Sequence, residues 1–203
     1  DVCSSDLQHD LSLKHQEWLV NKFKNVEAHT INLDELFSAF TSTLSKFNNE
    51  HGMANSRARL RMTTLYQVAA ANKGIVVGTG NKVEDFGVGF YTKYGDGGVD
   101  LSPIADLMKS EVYELAAYLG VPNSIQKAQP TDGLFGDSRT DEDQIGASYD
   151  ELEWAMNMQD KGKIFEDFSG REKEVFKIYT RLNTINQHKM MPIPVCEIPT
   201  NLK

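Results

Sequence analysis

The stretch IVVGTGNKVEDFGVGFYTKYGDGGVDLSPIADLMK, Ile75 to Lys109, decides how the rest of the chain is read. It opens with the β-branched run Ile75–Val77 and closes it on Gly78, the pattern of a strand buried in a parallel sheet. Ligands of open parallel sheets bind beyond the carboxyl ends of the strands. Thr79 stands at that end, with its hydroxyl and the neighbouring amides available. Glu84 follows at the rim, where a carboxylate suits Mg²⁺ held against a phosphate. The same GTGNK also reads as a plain turn whose glycines supply positive φ. TKYGDGGVD, Thr92 to Asp100, packs three glycines into the four positions 95–98 and alternates charge through Lys93, Asp96 and Asp100. That pattern fits a polar ligand clamp or a solvated Ω-loop, and the ordering entropy of the glycines argues against an idle turn. Lys109 opens the next helix, where the helix dipole favours negative charge. It is therefore either a surface cation or one aimed at an anion that also faces the helix amides.

Outward from this stretch the chain alternates helix and strand signals. Leu11–Phe23 places Leu13, Trp18, Leu19 and Phe23 near one helical face, and Glu27–Leu33 (EAHTINL) alternates as a short strand. LDELFSAFTSTLSKF is amphipathic and opens on acids at Asp34. ANSRARLRMTTLYQVAAANKG predicts a helix with Asn55 or Ser56 as cap and Gly74 as stop. KSEVYELAAYLG predicts another, with Gly120 at its C-cap. Residues Glu142–Gln159 and Arg171–His188 predict two more. The pattern is α/β with a mainly parallel sheet, of which only two strands are visible.

Composition narrows the function classes. Over 203 residues, 40% are hydrophobic and 25% charged, as in a globular domain. A formal net charge of −8 argues against a nucleic-acid partner. It leaves room for a small anionic ligand, because a few cations set the potential inside a cleft. No apolar run reaches membrane-spanning length, so no membrane partner is expected. Two cysteines, Cys3 and Cys196, make no disulfide framework and no metal-ligand spacing, which favours a reducing cytoplasm.

The opening residues DVCSSDL carry no initiator Met and no signal-peptide pattern. They are the translation of GACGTGTGCTCTTCCGATCT, which resembles the end of a sequencing adapter. On that reading Asp1–Leu7 is artefact, and residues 8–203 are the C-terminal part of a single domain cut near Gln8. An ordinary frayed terminus is the other reading.

The blocks ARLRM, GTGNKVE, GFYTKYGDGGVD, LMK, QPTDGL, TDEDQIGASYDELE and QHK occur in that order between about Leu11 and Lys189. Together they resemble NAD synthetases of the adenylating PP-loop family. The resemblance implies a Rossmann-like sheet of the adenine nucleotide alpha hydrolase-like type, flanked by helices, in a homodimer. It implies ATP-dependent conversion of deamido-NAD and ammonia to NAD through an acyl-adenylate, with AMP and pyrophosphate released. It assigns Arg59, Lys93, Asp100, His188 and Lys189 to deamido-NAD. Thr79, Lys109 and Thr131 go to ATP, and Glu84 to Mg²⁺. Joining two anions needs such cations to suppress repulsion.

Taken singly, these residues have plainer readings. Arg59 is a solvated helical arginine, and Glu84 one of many surface acids. His188 and Lys189 are partners of a helix C-terminus, and Thr131 is a turn residue. Arg59 and Arg61 lie two apart on a helix, so only one is expected to reach a ligand. The acidic segment from Thr131 to Trp154 resembles a mobile lid, with Gly136 and Gly146 as hinges.

Two features depart from the family pattern. The interval from Glu84 to Lys93 is one residue longer than in its best-known members. The pyrophosphate-gripping Ser-Gly-Gly-x-Asp-Ser loop occurs nowhere in the sequence. The first strand and phosphate loop are thus expected to be missing, and the chain alone to be inactive. Alternatives are a non-catalytic nucleotide-binding module, another adenylating amidotransferase of the superfamily, or a dimerisation fragment.

Overall fold

The computed structural model describes residues 6–131 and 140–203. Gly136 lies outside them. Among the described residues the α-helices are α1 (Asp6–Lys22), α2 (Asp34–Thr43), α3 (Glu50–Ala71), α4 (Lys109–Leu119), α5 (Asn123–Gln126), α6 (Asp141–Ile145), α7 (Tyr149–Asp160) and α8 (Gly170–Met190). A seven-residue π-helix spans Lys82–Val88.

Val77 pairs in parallel with Leu101, the one β bridge among the described residues. The Gly78 amide donates to the Leu101 carbonyl at 2.7 Å, and the Asp100 amide to the Val76 carbonyl at 2.9 Å. Val76 is 6% exposed, whereas Ile75 and Val77 are 62% and 53% exposed. The run therefore buries one face, not both as its composition suggests. Asp100 fixes the pairing with its side chain: Oδ2 accepts the Val76 amide at 2.8 Å and Oδ1 the Tyr66 hydroxyl at 3.1 Å. Glu27–Leu33 forms no strand. Its residues before Leu33 are exposed, so its alternation has no apolar face to bury and no ladder to join.

Several helix boundaries differ from the sequence reading, beginning with α1, which starts at Asp6 rather than about Leu11. The cap of α3 is Asn49, whose Oδ1 accepts the Gly52 amide at 2.7 Å; Asn55 and Ser56 lie inside the helix. At the other end the left-handed residue is Lys73 (φ 54°), and Gly74 returns its amide to the Ala69 carbonyl at 2.8 Å. The expected helix Glu142–Gln159 is two helices, because Gly146 turns left-handed (φ 87°) and Ser148 starts α7 with a capping box to Glu151. The C-cap expected for α4 holds, with Gly120 at φ 71°.

The core gathers where the π-helix meets α7 and α8. Val83, Leu152 and Ala155 are fully buried there, against Val175, Phe176 and Tyr179. The π-helix is held from both ends. Buried Asn81 accepts the Val83 and Glu84 amides at 3.1 Å, and the Gly89 amide closes the wide turn on the Glu84 carbonyl. From α8, Asn183 and Asn186 donate to the Gly87 and Val88 carbonyls at 2.7 and 2.8 Å.

Glycines here serve close approach more than positive φ. Neither Gly78 nor Gly80 has positive φ. A Cβ on Gly80 would meet the Asp85 carboxylate at 2.0 Å, and one on Gly95 would meet the Ala58 Cβ at 2.9 Å. The second contact lays the TKYGDGGVD loop directly on α3. No helix among the described residues is long and apolar enough to cross a membrane.

Candidate active site

Two neighbouring cavities flank α3. The larger, about 650 Å³, is lined by Arg59, Arg61, Lys93, His188 and Lys189, with Tyr91 and Asp96 beside them. The smaller, about 460 Å³, is lined by Arg61, Lys109 and Thr131, with an apolar wall that includes Val112 and Ile125. Arg59 and Arg61 both reach the larger cavity, contrary to the helical-face expectation. Their side chains are long enough to bring both heads round to one space although their Cβ atoms diverge.

Arg59, Lys93 and Lys189 are each held by backbone carbonyls. The Arg59 Nε donates to the Lys93 carbonyl at 3.2 Å, and the Lys93 ammonium to the His188 carbonyl. Lys189 donates to the Gly89 and Tyr91 carbonyls, both at 2.8 Å. Burial lowers the Lys189 pKa, and Asp96 opposes that shift. Among the residues lining this space, four basic side chains of Arg and Lys stand with one carboxylate, Asp96. In a chain of net charge −8 this is local anion selectivity.

Lys109 opens α4 and is aimed at an anion, which is the side chain of Glu84. Lys109 Nζ donates to Glu84 Oε1 at 2.7 Å, and the two side chains are 17% and 16% exposed. The Tyr149 hydroxyl lies 2.6 Å from the same oxygen and 3.2 Å from Asp141 Oδ2. It has one proton, which the shorter contact takes. Burial, then the two carboxylates, push the Tyr149 pKa far up, so the phenol stays a donor. The Tyr149 ring also lies under the Lys109 ammonium at 4.7 Å. Glu153 accepts the Ser110 amide and hydroxyl at 2.9 and 2.7 Å, completing the first turn of α4.

Sequence reasoning missed three members of this centre: Tyr149, Asp141 and Asp85. The first two are the opening residues of α7 and α6, each behind a capping box at Ser148 and Thr140, a signature present in the sequence. Asp85 sits over Gly80; burial, then repulsion from Glu84 and Asp96, raises its carboxyl to about 7. Three expected site residues line neither cavity: Thr79, Glu84 and Asp100. Thr79 is exposed beyond the Val77 bridge, and both carboxylate oxygens of Asp100 are engaged by Val76 and Tyr66.

Glu84, the carboxylate the resemblance assigns to Mg²⁺, has Oε1 engaged by Lys109 and Tyr149. No cluster of three or more metal-ligating side chains occurs among the described residues.

The profile of the family described as NAD synthase matches residues 3–192. The chain belongs to the NAD synthase family. The NH(3)-dependent NAD(+) synthetase of Thermoplasma volcanium is 41% identical over 165 residues, 81% of this chain and 64% of that protein. That of Methanosarcina acetivorans is 38% identical over 188 residues, 90% of this chain and 70% of its own length. The matched part spans from about half to 70% of the length of these NAD synthetases, and 63–64%, less than two thirds, of the Thermoplasma proteins. Among solved structures, NMN synthetase from Francisella tularensis superposes with a TM-score of 0.79 at 31% identity, over 97% of this chain and 74% of that one. NH3-dependent NAD synthetase from Campylobacter jejuni superposes with a TM-score of 0.65 at 25% identity, over 85% of this chain and 66% of that one. The fold of this chain is the one those synthetases share.

Proposed function

We propose that these cavities serve the ATP-dependent amidation of deamido-NAD to NAD, with ammonia as nitrogen donor. The observation that carries this reading is how the assigned residues sort. Arg59, Lys93, His188 and Lys189, assigned to the dinucleotide, line one cavity, while Lys109 and Thr131, assigned to ATP, line its neighbour. The family's NH(3)-dependent members supply the choice of ammonia.

In this reading the larger cavity holds the dinucleotide pyrophosphate among its fixed cations. The nicotinate carboxylate is directed toward the α-phosphate of ATP in the smaller cavity. The carboxylate attacks that phosphorus and pyrophosphate leaves. Ammonia then adds to the activated carbonyl, its nitrogen releases one proton to solvent, and AMP departs with the bonding pair. Lys109 and Arg61 lower the repulsion between the reacting anions. Glu84 would hold Mg²⁺, which supplies charge neutralisation of the phosphates. For that, Glu84 must exchange the Lys109 ammonium for the metal, and this frees Lys109 to face phosphate.

A mainly parallel Rossmann-like sheet, a homodimer and a cytoplasmic location complete the proposal, supported by the synthetase-like fold and the exposed thiol of Cys196. The sequence holds no Ser-Gly-Gly-x-Asp-Ser stretch, so the 203 residues alone are expected to bind both substrates with little or no turnover. The Francisella likeness favours a second reading, in which the mononucleotide form of the substrate is amidated. Thermal-shift titration of the chain with MgATP, deamido-NAD and nicotinate mononucleotide tests all of this. Stabilisation by ATP and deamido-NAD supports the first reading. Preference for the mononucleotide supports the second, and no shift with any ligand refutes both.

A further inference from the structure

Arg61 is the one described residue that lines both cavities. Every other cation near the site serves one space. Arg59, Lys93 and Lys189 line the larger, and Lys109 the smaller, where it is paired with Glu84. Arg61 is half-buried in the wall between them. Its neighbour one turn back, Arg57, lies over the Phe37 ring at 4.4 Å and lines neither space. Two arginines on one face, i to i+4, repel one another along a helix. Arg57 has the ring to face, and Arg61 faces the cavities. A guanidinium presents five donors in a planar fork, so one arginine can engage two anions from opposite edges. An ammonium, being a point charge, does this poorly.

We propose that Arg61 bridges the two substrates, one edge of its guanidinium on the ATP phosphate and the other on the dinucleotide, so that the two anions bind together without mutual penalty. This rests on the reading of the cavities given above and adds the residue that couples them. Arg59 sets the affinity of one ligand only, whereas Arg61 sets how the two tolerate each other.

The test uses calorimetric titration of the full chain with α,β-methylene-ATP, which cannot release pyrophosphate, and with deamido-NAD, each alone and then with the other at saturation. In the unaltered chain the second ligand is expected to bind within about twofold of its affinity alone. In Arg61→Met each ligand weakens at least tenfold, and the second is weakened a further fivefold or more once the first is present. Arg59→Met is expected to weaken deamido-NAD alone. Arg61→Lys keeps the charge without the fork, and should recover single-ligand affinity while keeping the antagonism. A merely structural role for Arg61 would loosen both ligands without making them compete. If both ligands bind the unaltered chain and neither Arg61 variant creates antagonism, the bridging role is overturned while the cavity assignment stands. If the unaltered chain binds neither ligand, the cavity assignment falls and the bridge falls with it.

Discussion

Lys109 Nζ and Glu84 Oε1 meet at 2.7 Å with both side chains more than four-fifths buried, and the Tyr149 hydroxyl donates to the same oxygen at 2.6 Å. The first residue of α4 is thereby tied to the first turn of the π-helix, and the first residue of α7 to both.

Removing one ion should therefore cost more than removing both. Lys109→Met is expected to destabilise the chain by about 1–3 kcal/mol, below the full cost for a completely buried pair because some solvent reaches it. Adding Glu84→Gln to that variant should return part of the loss. Urea melts of the two single variants and the double variant give the coupling, and strictly additive losses would contradict the pair as described.

Asp85 sets a slope in stability with pH. Its carboxyl is held at about 7 in the fold by burial, then by Glu84 and Asp96, against 3.8 when unfolded. Between those values the native state keeps a proton that the unfolded state has lost, so stability falls as pH rises from about 4 to about 7 and then levels. Asp85→Asn should flatten that part of the profile. Thermal melts from pH 4 to pH 8 would show the variant gaining on the parent as pH rises; parallel profiles would contradict it.

Glu151 gives the opposite slope at lower pH. The Arg171 guanidinium is the largest cause holding its carboxyl down at about 2, with help from the Ser148 amide. Stability from this contact is present above about 4.5 and is lost as pH falls toward 2. Arg171 also donates to the Gly146 carbonyl at 3.1 Å, so the contact spans the corner between α6 and α7. Arg171→Met should raise amide exchange across Gly146–Glu151 at pH 7 and much less at pH 2.5. Equal increases at both values would assign the effect to packing.

Gly95→Ala tests how closely the Thr92–Asp100 loop lies on α3. The added methyl would sit 2.9 Å from the Ala58 Cβ and 2.8 Å from the Thr92 methyl, with helix on one side and loop on the other. The expected cost is about 1–3 kcal/mol from overpacking. Affinity for deamido-NAD should fall as Lys93 is displaced, while ATP affinity should hold. A neutral effect on both would mean that the loop lifts freely.

Much of the helical frame was legible because its signals are local. Gly120 stopped α4 where expected, and the Arg171–His188 pattern came within two residues of each end of α8. The cationic character of the larger cavity was also readable, since Arg59, Lys93, His188 and Lys189 stand in ordered blocks. What escaped was set by distant partners. The π-helix exists through donors on α8 some 96 residues further along the chain and through a buried Asn81. Periodicity in Lys82–Val88 says nothing of them. The break at Gly146 was written in two capping boxes, but the acidic run around them masked the boundary. Glu27–Leu33 shows the reverse error, an alternating pattern with nothing to pair against. Gly80 looked like a turn residue because a sequence does not reveal that Asp85 folds back over it.

Asn183, Asn186 and Lys189 stand three residues apart on α8 and engage the carbonyls of residues 87, 88, 89 and 91 in order. Such a ladder counts residues. A single insertion between Asn183 and Lys189 would swing every later donor by about 100° around the helix axis and leave buried carbonyls facing apolar surface. The helix can exchange its outward side chains freely while its length between these rungs stays fixed, and the floor of the larger cavity inherits that fixed gauge.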